Sequence, residues 1–130
     1  FDFDKSISFE GDSGPYLQYS AVRANSILKK AEGVIDISGV KPEDWQTTNL
    51  ERMLDRFFDI LERSGKEFAP HHLTTYLTEL AGEFNSFYAS HKIIDEVDPT
   101  SAYRLSITEA FVWIMTDGLN LLGIKVPEKM

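Results

Sequence analysis

The sequence predicts an all-α fold, an antiparallel bundle of four to five helices, and three observations carry that expectation. Between Leu73 and Tyr88 the apolar residues Leu73, Tyr76, Leu77, Leu80, Ala81, Phe84, Phe87 and Tyr88 step at i, i+3, i+4, i+7, i+8, i+11, i+14 and i+15 without an error. The segments around 48–63 and 100–122 repeat the same period. Every strong signal is helical and no strand-rich architecture fits, although short strand pairing within 33–44 stays open. With 130 residues the chain forms one domain, long enough to bury roughly two-thirds of its unfolded surface.

The first 14 residues read as an irregular lead-in, with Ile7 and Phe9 able to anchor on the bundle. Asp2 and Asp4 have the spacing of a calcium loop but lack its central glycine and closing glutamate. Gly11-Asp12-Ser13-Gly14-Pro15 has the look of a serine-protease nucleophile segment, but no β-barrel pattern surrounds it. The helical domain is expected over 15–130. Pro15 suits a first helical turn, and Gly33 suits the residue just past the helix end near Ala31. On a helical wheel Leu17, Ala21, Ala24, Leu28 and Ala31 form the buried stripe, with Ile27 at its edge. Beside it runs the column Tyr16, Tyr19, Arg23, Ser26 and Lys30. Rings interleaved with cations suit a phosphate backbone and stackable bases. The same column also fits a plainer reading, tyrosines in the core and cations at the surface.

Residues 33–44 read as a linker broken by Gly33, Gly39 and Pro42, with Val34, Ile35, Ile37 and Val40 available to tack it down. The next helix is expected from Thr48 to Arg63, burying Leu50, Met53, Leu54, Phe57, Phe58 and Leu61, until Ser64-Gly65 interrupts and residues 66–69 add a turn. Pro70 opens the long helix already described. His71 and His72 are adjacent, whereas a metal pair on one helix face wants i, i+4 spacing. Asp98-Pro99 marks a turn and a helix start, and a last helix from Thr100 to Leu122 should bury Tyr103, Ile107, Ala110, Phe111, Ile114, Met115, Leu119 and Leu122. Gly118 inside it costs up to about 1 kcal/mol against alanine, which calls for a neighbouring helix in close approach. Gly123 ends the element, before a short tail.

Composition narrows the function. The net charge of −8 argues against a protein wrapped in positive field, so any nucleic-acid contact must use a local patch. There is no cysteine for a disulfide scaffold or a thiolate zinc site, and no apolar run of membrane-span length. Gly11-x-x-Gly14 is too little for a phosphate cradle, and no carboxylate pair, triad or metal cluster stands out. The chain starts at Phe1 in what reads as the middle of something, so a fragment of a longer protein is expected.

Four segments in register carry a family resemblance. Phe9 to Tyr19, followed by Arg23, resembles the lead-in to the C-terminal domain of arginyl-tRNA synthetases. Tyr76-Leu77-Thr78-Glu79-Leu80-Ala81 with Phe84-Asn85-Ser86-Phe87-Tyr88 resembles that domain's central helix. Ala102-Tyr103-Arg104-Leu105 is similar to the signature that names the DALR anticodon-binding domain, although its Asp-Ala is not intact. Residues 118–124 and 127–130 resemble the family's C-terminus. The resemblance spans nearly the whole chain and loosens between Gly33 and Phe68.

The resemblance implies the helical anticodon-binding domain of a class I arginine–tRNA ligase. Such an enzyme activates arginine with ATP and Mg in an upstream catalytic domain that this chain lacks, so the fragment itself should catalyse nothing and hold no cofactor. Cytoplasmic residence, arginine tRNA as partner and no membrane association follow from the same source. The resemblance places Tyr16, Tyr19 and Arg23 on the anticodon stem, and Tyr88 and Met130 around the anticodon loop; lying on the apolar stripe of its helix, Tyr88 fits a purely buried role as well. Lys30 joins them from the wheel. Lys92 stands where some relatives carry an aromatic residue, exchanging a stacking surface for a cation. Arg104 suits either an RNA contact or an ion pair. The competing class is a noncatalytic helical module that takes a protein partner in an apolar groove.

Overall fold

Five helices, α1 (Ser8–Ala31), α2 (Asn49–Leu54), α3 (Phe57–Glu67), α4 (Pro70–Ser90) and α5 (Ser101–Leu121), make up the regular structure. The structure, a computed structural model, describes residues 8–67 and 70–129, with side chains from residue 14 onward except 66 and 67. Among the described residues there is no strand.

Cross-contacts fix the directions. Phe84 stacks on Phe111 at 4.3 Å and 7°, while Gly118 faces Leu77, so α4 and α5 run antiparallel. Ser38, past the end of α1, bonds to the Ala102 carbonyl at 3.1 Å, and Gln18 donates to the Lys125 carbonyl at 2.7 Å, so α1 and α5 also oppose each other. Phe57 stacks on Tyr76, and Leu61 and Leu73 line one cavity, which sets α2–α3 against α4. The bundle therefore runs up, down, up, down, with α2 and α3 as one bent element. Alternation leaves α1 and α4 side by side and parallel. The expected fold class holds.

Buried Leu17, Leu50, Phe57, Leu77, Leu80, Phe84, Leu105, Phe111, Met115 and Leu119 form the centre of the core. Gly118 answers its expectation: a β-carbon there would lie 2.9 Å from Leu77 Cδ2. Gly33 and Gly123 sit just past their helices at φ 75° and 80°, the left-handed region open to glycine. At the end of α5 the N–H of Gly123 bonds to the Asn120 carbonyl at 3.0 Å and that of Ile124 to the Leu119 carbonyl at 2.8 Å. Those two bonds are the Schellman arrangement, and half-buried Ile124 supplies its apolar contact. Asp98 starts α5 by accepting from the Thr100 N–H at 2.9 Å.

Several expectations need correction. Helix α1 begins at Ser8, so residues 8–14 are helical and Pro15 lies inside the helix. Proline forfeits one bond, to the Gly11 carbonyl, and the C-terminal tail packs beside this turn. Gly14 faces Ile124, and Gln18 holds the Lys125 carbonyl. The remainder of the expected lead-in, 1–7, lies outside the described residues, as do Phe68 and Ala69.

The helix expected over 48–63 breaks at Asp55 and Arg56 and runs on through Ser64-Gly65. The Met53 carbonyl accepts from the Arg56 N–H at 3.1 Å and from the Tyr76 hydroxyl, which tightens the turn and resets the helical phase. Phe58 consequently points outward, 65% exposed, while Phe57 is fully buried. In the linker Ile35 packs on the core but Val34, Ile37 and Val40 stay exposed. On α1 Ile27 is buried and Leu28 half-buried, because the stripe faces both α4 and α5. Tyr103, Ala110 and Leu122 are half-buried, not enclosed.

Candidate nucleic-acid interface

The parallel course of α1 and α4 brings two side-chain columns into register. At one end Asn85 Nδ2 donates to the Tyr16 hydroxyl at 2.9 Å, leaving the phenol proton free to donate outward. Two turns on, the Arg23 guanidinium lies 4.3 Å over the centre of the Tyr88 ring. A cation over a ring face is held by the ring quadrupole, and the guanidinium N–H edges remain available. No other partner of Arg23 exists among the described residues. At the far end Lys30 of α1 meets the segment that leaves α4.

There the chain opens a cavity of about 460 Å³ lined by Ile27, Lys30, Tyr88, Ala89, His91, Lys92, Ile93 and Ile94. Its walls are an aliphatic floor, one aromatic ring, one imidazole and two ammonium groups. Neither Lys30 nor Lys92 is ion-paired among the described residues. The His91 ring stacks on Phe87 at 4.5 Å, and its Nδ1 lies 3.2 Å from the Phe87 carbonyl. That contact sets the plane of the imidazole.

Tyr16, Tyr19 and Tyr88 are 40%, 51% and 39% exposed, so none of them is enclosed in the core. Tyr88 lies on the apolar period of α4 yet escapes burial because it falls at the α1 edge, where Arg23 covers one face and Phe84 backs the ring at 6.4 Å. Lys30, Tyr88 and Lys92 are brought together; Arg23 joins them through Tyr88. Tyr16 and Tyr19 stand along the same ridge but outside the cavity. Met130 lies outside the described residues. Arg104 has 15% of its side chain exposed; it pairs with Asp98 at 2.9 Å and donates from Nη1 to the Lys92 carbonyl at 2.8 Å.

Sequence reasoning missed His91 and the contact made by Asn85. His91 follows Tyr88 by three residues, the spacing of helix neighbours, which is the signal that would have found it. Asn85 precedes Tyr88 by three, but its partner on α1 is set by the tertiary pairing alone. Elsewhere His71 and His72 have ring centres 4.3 Å apart, and among the described residues no cluster of three or more His, Cys, Asp or Glu side chains could hold a metal ion. No helix of the described residues is long and apolar enough to cross a membrane.

Comparison with known proteins completes the description. Residues 17–130 match the model of the DALR anticodon binding domain. The chain is 36% identical over 132 residues to an arginine–tRNA ligase of Alkaliphilus metalliredigens, matched along its whole length and covering 23% of that protein. It is 38% identical over 144 residues to one of Thermococcus kodakarensis, covering 22% of it. The solved arginyl-tRNA synthetase of Thermus thermophilus superimposes on 98% of the chain with a TM-score of 0.73 at 34% identity, the chain spanning 23% of that structure.

Proposed function

The chain belongs to the DALR anticodon-binding domain family, and from that premise we propose that it holds the anticodon arm of arginine tRNA for an arginine–tRNA ligase. Aminoacylation with ATP and Mg then belongs to an upstream catalytic domain of the same longer, cytoplasmic protein, and the fragment alone is inactive. In this division the residues ahead of 15 connect the two units.

One observation carries the reading: two lysines with no ion-pair partner among the described residues share a cavity rim with a partly exposed aromatic ring. An anticodon base splayed from its stack lies against the exposed edge of Tyr88 and the aliphatic floor, while Lys30, Lys92 and the free edges of Arg23 neutralise the neighbouring phosphates. Tyr16 and Tyr19 continue the ridge towards the stem. Met130 is assigned to the loop by family resemblance alone. The acidic remainder of the surface disfavours other orientations of the polyanion.

A filter-binding titration with arginine tRNA and one unrelated tRNA at two salt concentrations tests the proposal. Arginine tRNA should bind more tightly, with a log–log salt slope of roughly −0.7 to −0.9 per phosphate neutralised. Equal affinity for both tRNAs overturns it.

A second reading, a module that docks a protein, is favoured by Phe58 at 65% and Trp113 at 56% exposure, both against buried Phe57. It predicts association indifferent to salt and to tRNA identity.

A further inference from the structure

The segment between α4 and α5 supplies half of the cavity wall, yet it has no regular structure of its own. What holds it is the first turn of α5. The Ser101 hydroxyl, fully buried, donates to the Ile93 carbonyl and accepts from the Asp95 N–H at 3.0 Å. Ile93, itself buried, plugs the segment into the core. Arg104 does the rest with one guanidinium: Nη1 donates to the Lys92 carbonyl at 2.8 Å and Nη2 to Asp98 Oδ2 at 2.9 Å. Asp98 is in turn oriented by the Thr100 N–H at 2.9 Å. The two acceptors stand at opposite ends of the segment, so a single planar group sets their separation.

We infer that Arg104 is a positioning residue for the RNA-binding cavity: it fixes the Lys92 backbone so that the exposed Lys92 side chain stays on the cavity rim facing Lys30. The inference rests on the function proposed above. Arg104 itself bonds to the chain on both sides of the segment. Its Nε–H is buried with no partner among the described residues, and each Nη group donates one bond to the chain. The geometry requires arginine, since lysine offers a compact ammonium in place of a rigid fork and cannot span both acceptors in one plane. Ser101 anchors the next two stations but does not touch Lys92. Loss of the fork therefore frees Lys92, the one lysine this segment contributes to the rim.

The test is a double-mutant cycle read by tRNA affinity, with thermal melts recorded in parallel. In the full chain, Arg104→Lys should weaken arginine tRNA binding roughly three- to tenfold, the size expected for residues coupled in one network. The same substitution in a Lys92→Ala background should weaken binding no further, because the position it secures is already empty of charge. Hydrogen exchange at 91–94 should rise in Arg104→Lys. If that variant fails to fold, Asp98→Asn keeps an acceptor for the Thr100 N–H and weakens only the fork, and the same non-additivity with Lys92→Ala is expected. Additive losses, or full affinity in a folded Arg104→Lys chain while Lys92→Ala binds poorly, overturn the positioning role. Full affinity in both Lys92→Ala and Tyr88→Ala instead removes the cavity as the RNA site, and the inference falls with it.

Discussion

Glu51, Trp45, Thr48 and Tyr103 form one aromatic and charged cluster at the seam of α2 and α5; Arg23, Lys30, Tyr88, His91 and Lys92 form another between α1 and α4. The residue types are alike and the outcomes are opposite. In the first cluster the Trp45 indole N–H donates to Glu51 Oε2 at 2.8 Å, the Thr48 N–H and hydroxyl donate to the same oxygen at 2.7 and 2.9 Å, and the Tyr103 hydroxyl donates to Oε1 at 2.5 Å. Trp45 meets Tyr103 edge to face at 5.2 Å. Burial pushes the Glu51 carboxyl up, but the Thr48, Tyr103 and Trp45 hydrogen bonds together outweigh it and hold the group below its ordinary value. Tyr103, desolvated and bonded to that carboxylate, is pushed up to about 12. The cluster closes a capping box, and the side-chain donors of Trp45, Thr48 and Tyr103 are all spent on the Glu51 carboxylate. In the second cluster the two lysines meet no acid among the described residues, and the tyrosine keeps an exposed side. Composition does not separate the two clusters; the internal saturation of their polar groups does.

The contrast breaks first at Tyr88. Removing its ring in Tyr88→Ala should lower arginine tRNA affinity roughly five- to a hundredfold, the span of about 1–3 kcal/mol for one stacked base. Circular dichroism should show the helices intact. A folded variant with undiminished affinity would place Tyr88 with the structural aromatics.

Glu51→Gln makes the complementary cut. Its amide offers one acceptor oxygen where donors approach both, so unfolding in urea should show a loss of about 1–3 kcal/mol. RNA affinity should stay at the wild-type value. The pH dependence sharpens the point. A carboxyl whose folded value is depressed contributes its stability fully above its ordinary value of 4.5 and loses it as pH falls through the lower folded value. Thermal melts in that acid window should therefore show wild type losing stability that Glu51→Gln has already lost. Parallel curves for the two proteins would mean that the carboxylate is not the hub.

The smallest expected effect separates the roles of Arg23. If its free edges meet a phosphate, Arg23→Gln should flatten the log–log salt slope of tRNA binding by about one. A slope left unchanged, with lower affinity, would instead assign Arg23 to bracing the Tyr88 ring beneath it.

Much of the bundle was readable from helical period alone. The apolar series of α4 lies in the core from Leu73 to Phe87, and Gly33, Gly123 and Gly118 do what a residue without a β-carbon is needed to do. Period fails at the margins of a stripe. Tyr88 and Phe58 occupy apolar positions and are exposed, because burial at an edge depends on which helix lies alongside and on local breaks in phase. At the break over Asp55 and Arg56, the Met53 carbonyl is held by a hydroxyl 23 positions further on, on Tyr76, and no local propensity carries that information.

By itself, then, the order of residues determined an all-helical chain, the glycine stops after α1 and α5 and the column of cations and rings on α1, since these follow from spacing along one strand of covalent bonds. Tertiary structure decided that α1 and α4 lie parallel, and hence that Arg23 covers Tyr88 and that Lys30 and Lys92 border one cavity with His91. Such pairings depend on distances between segments far apart in sequence, which packing sets and periodicity cannot encode.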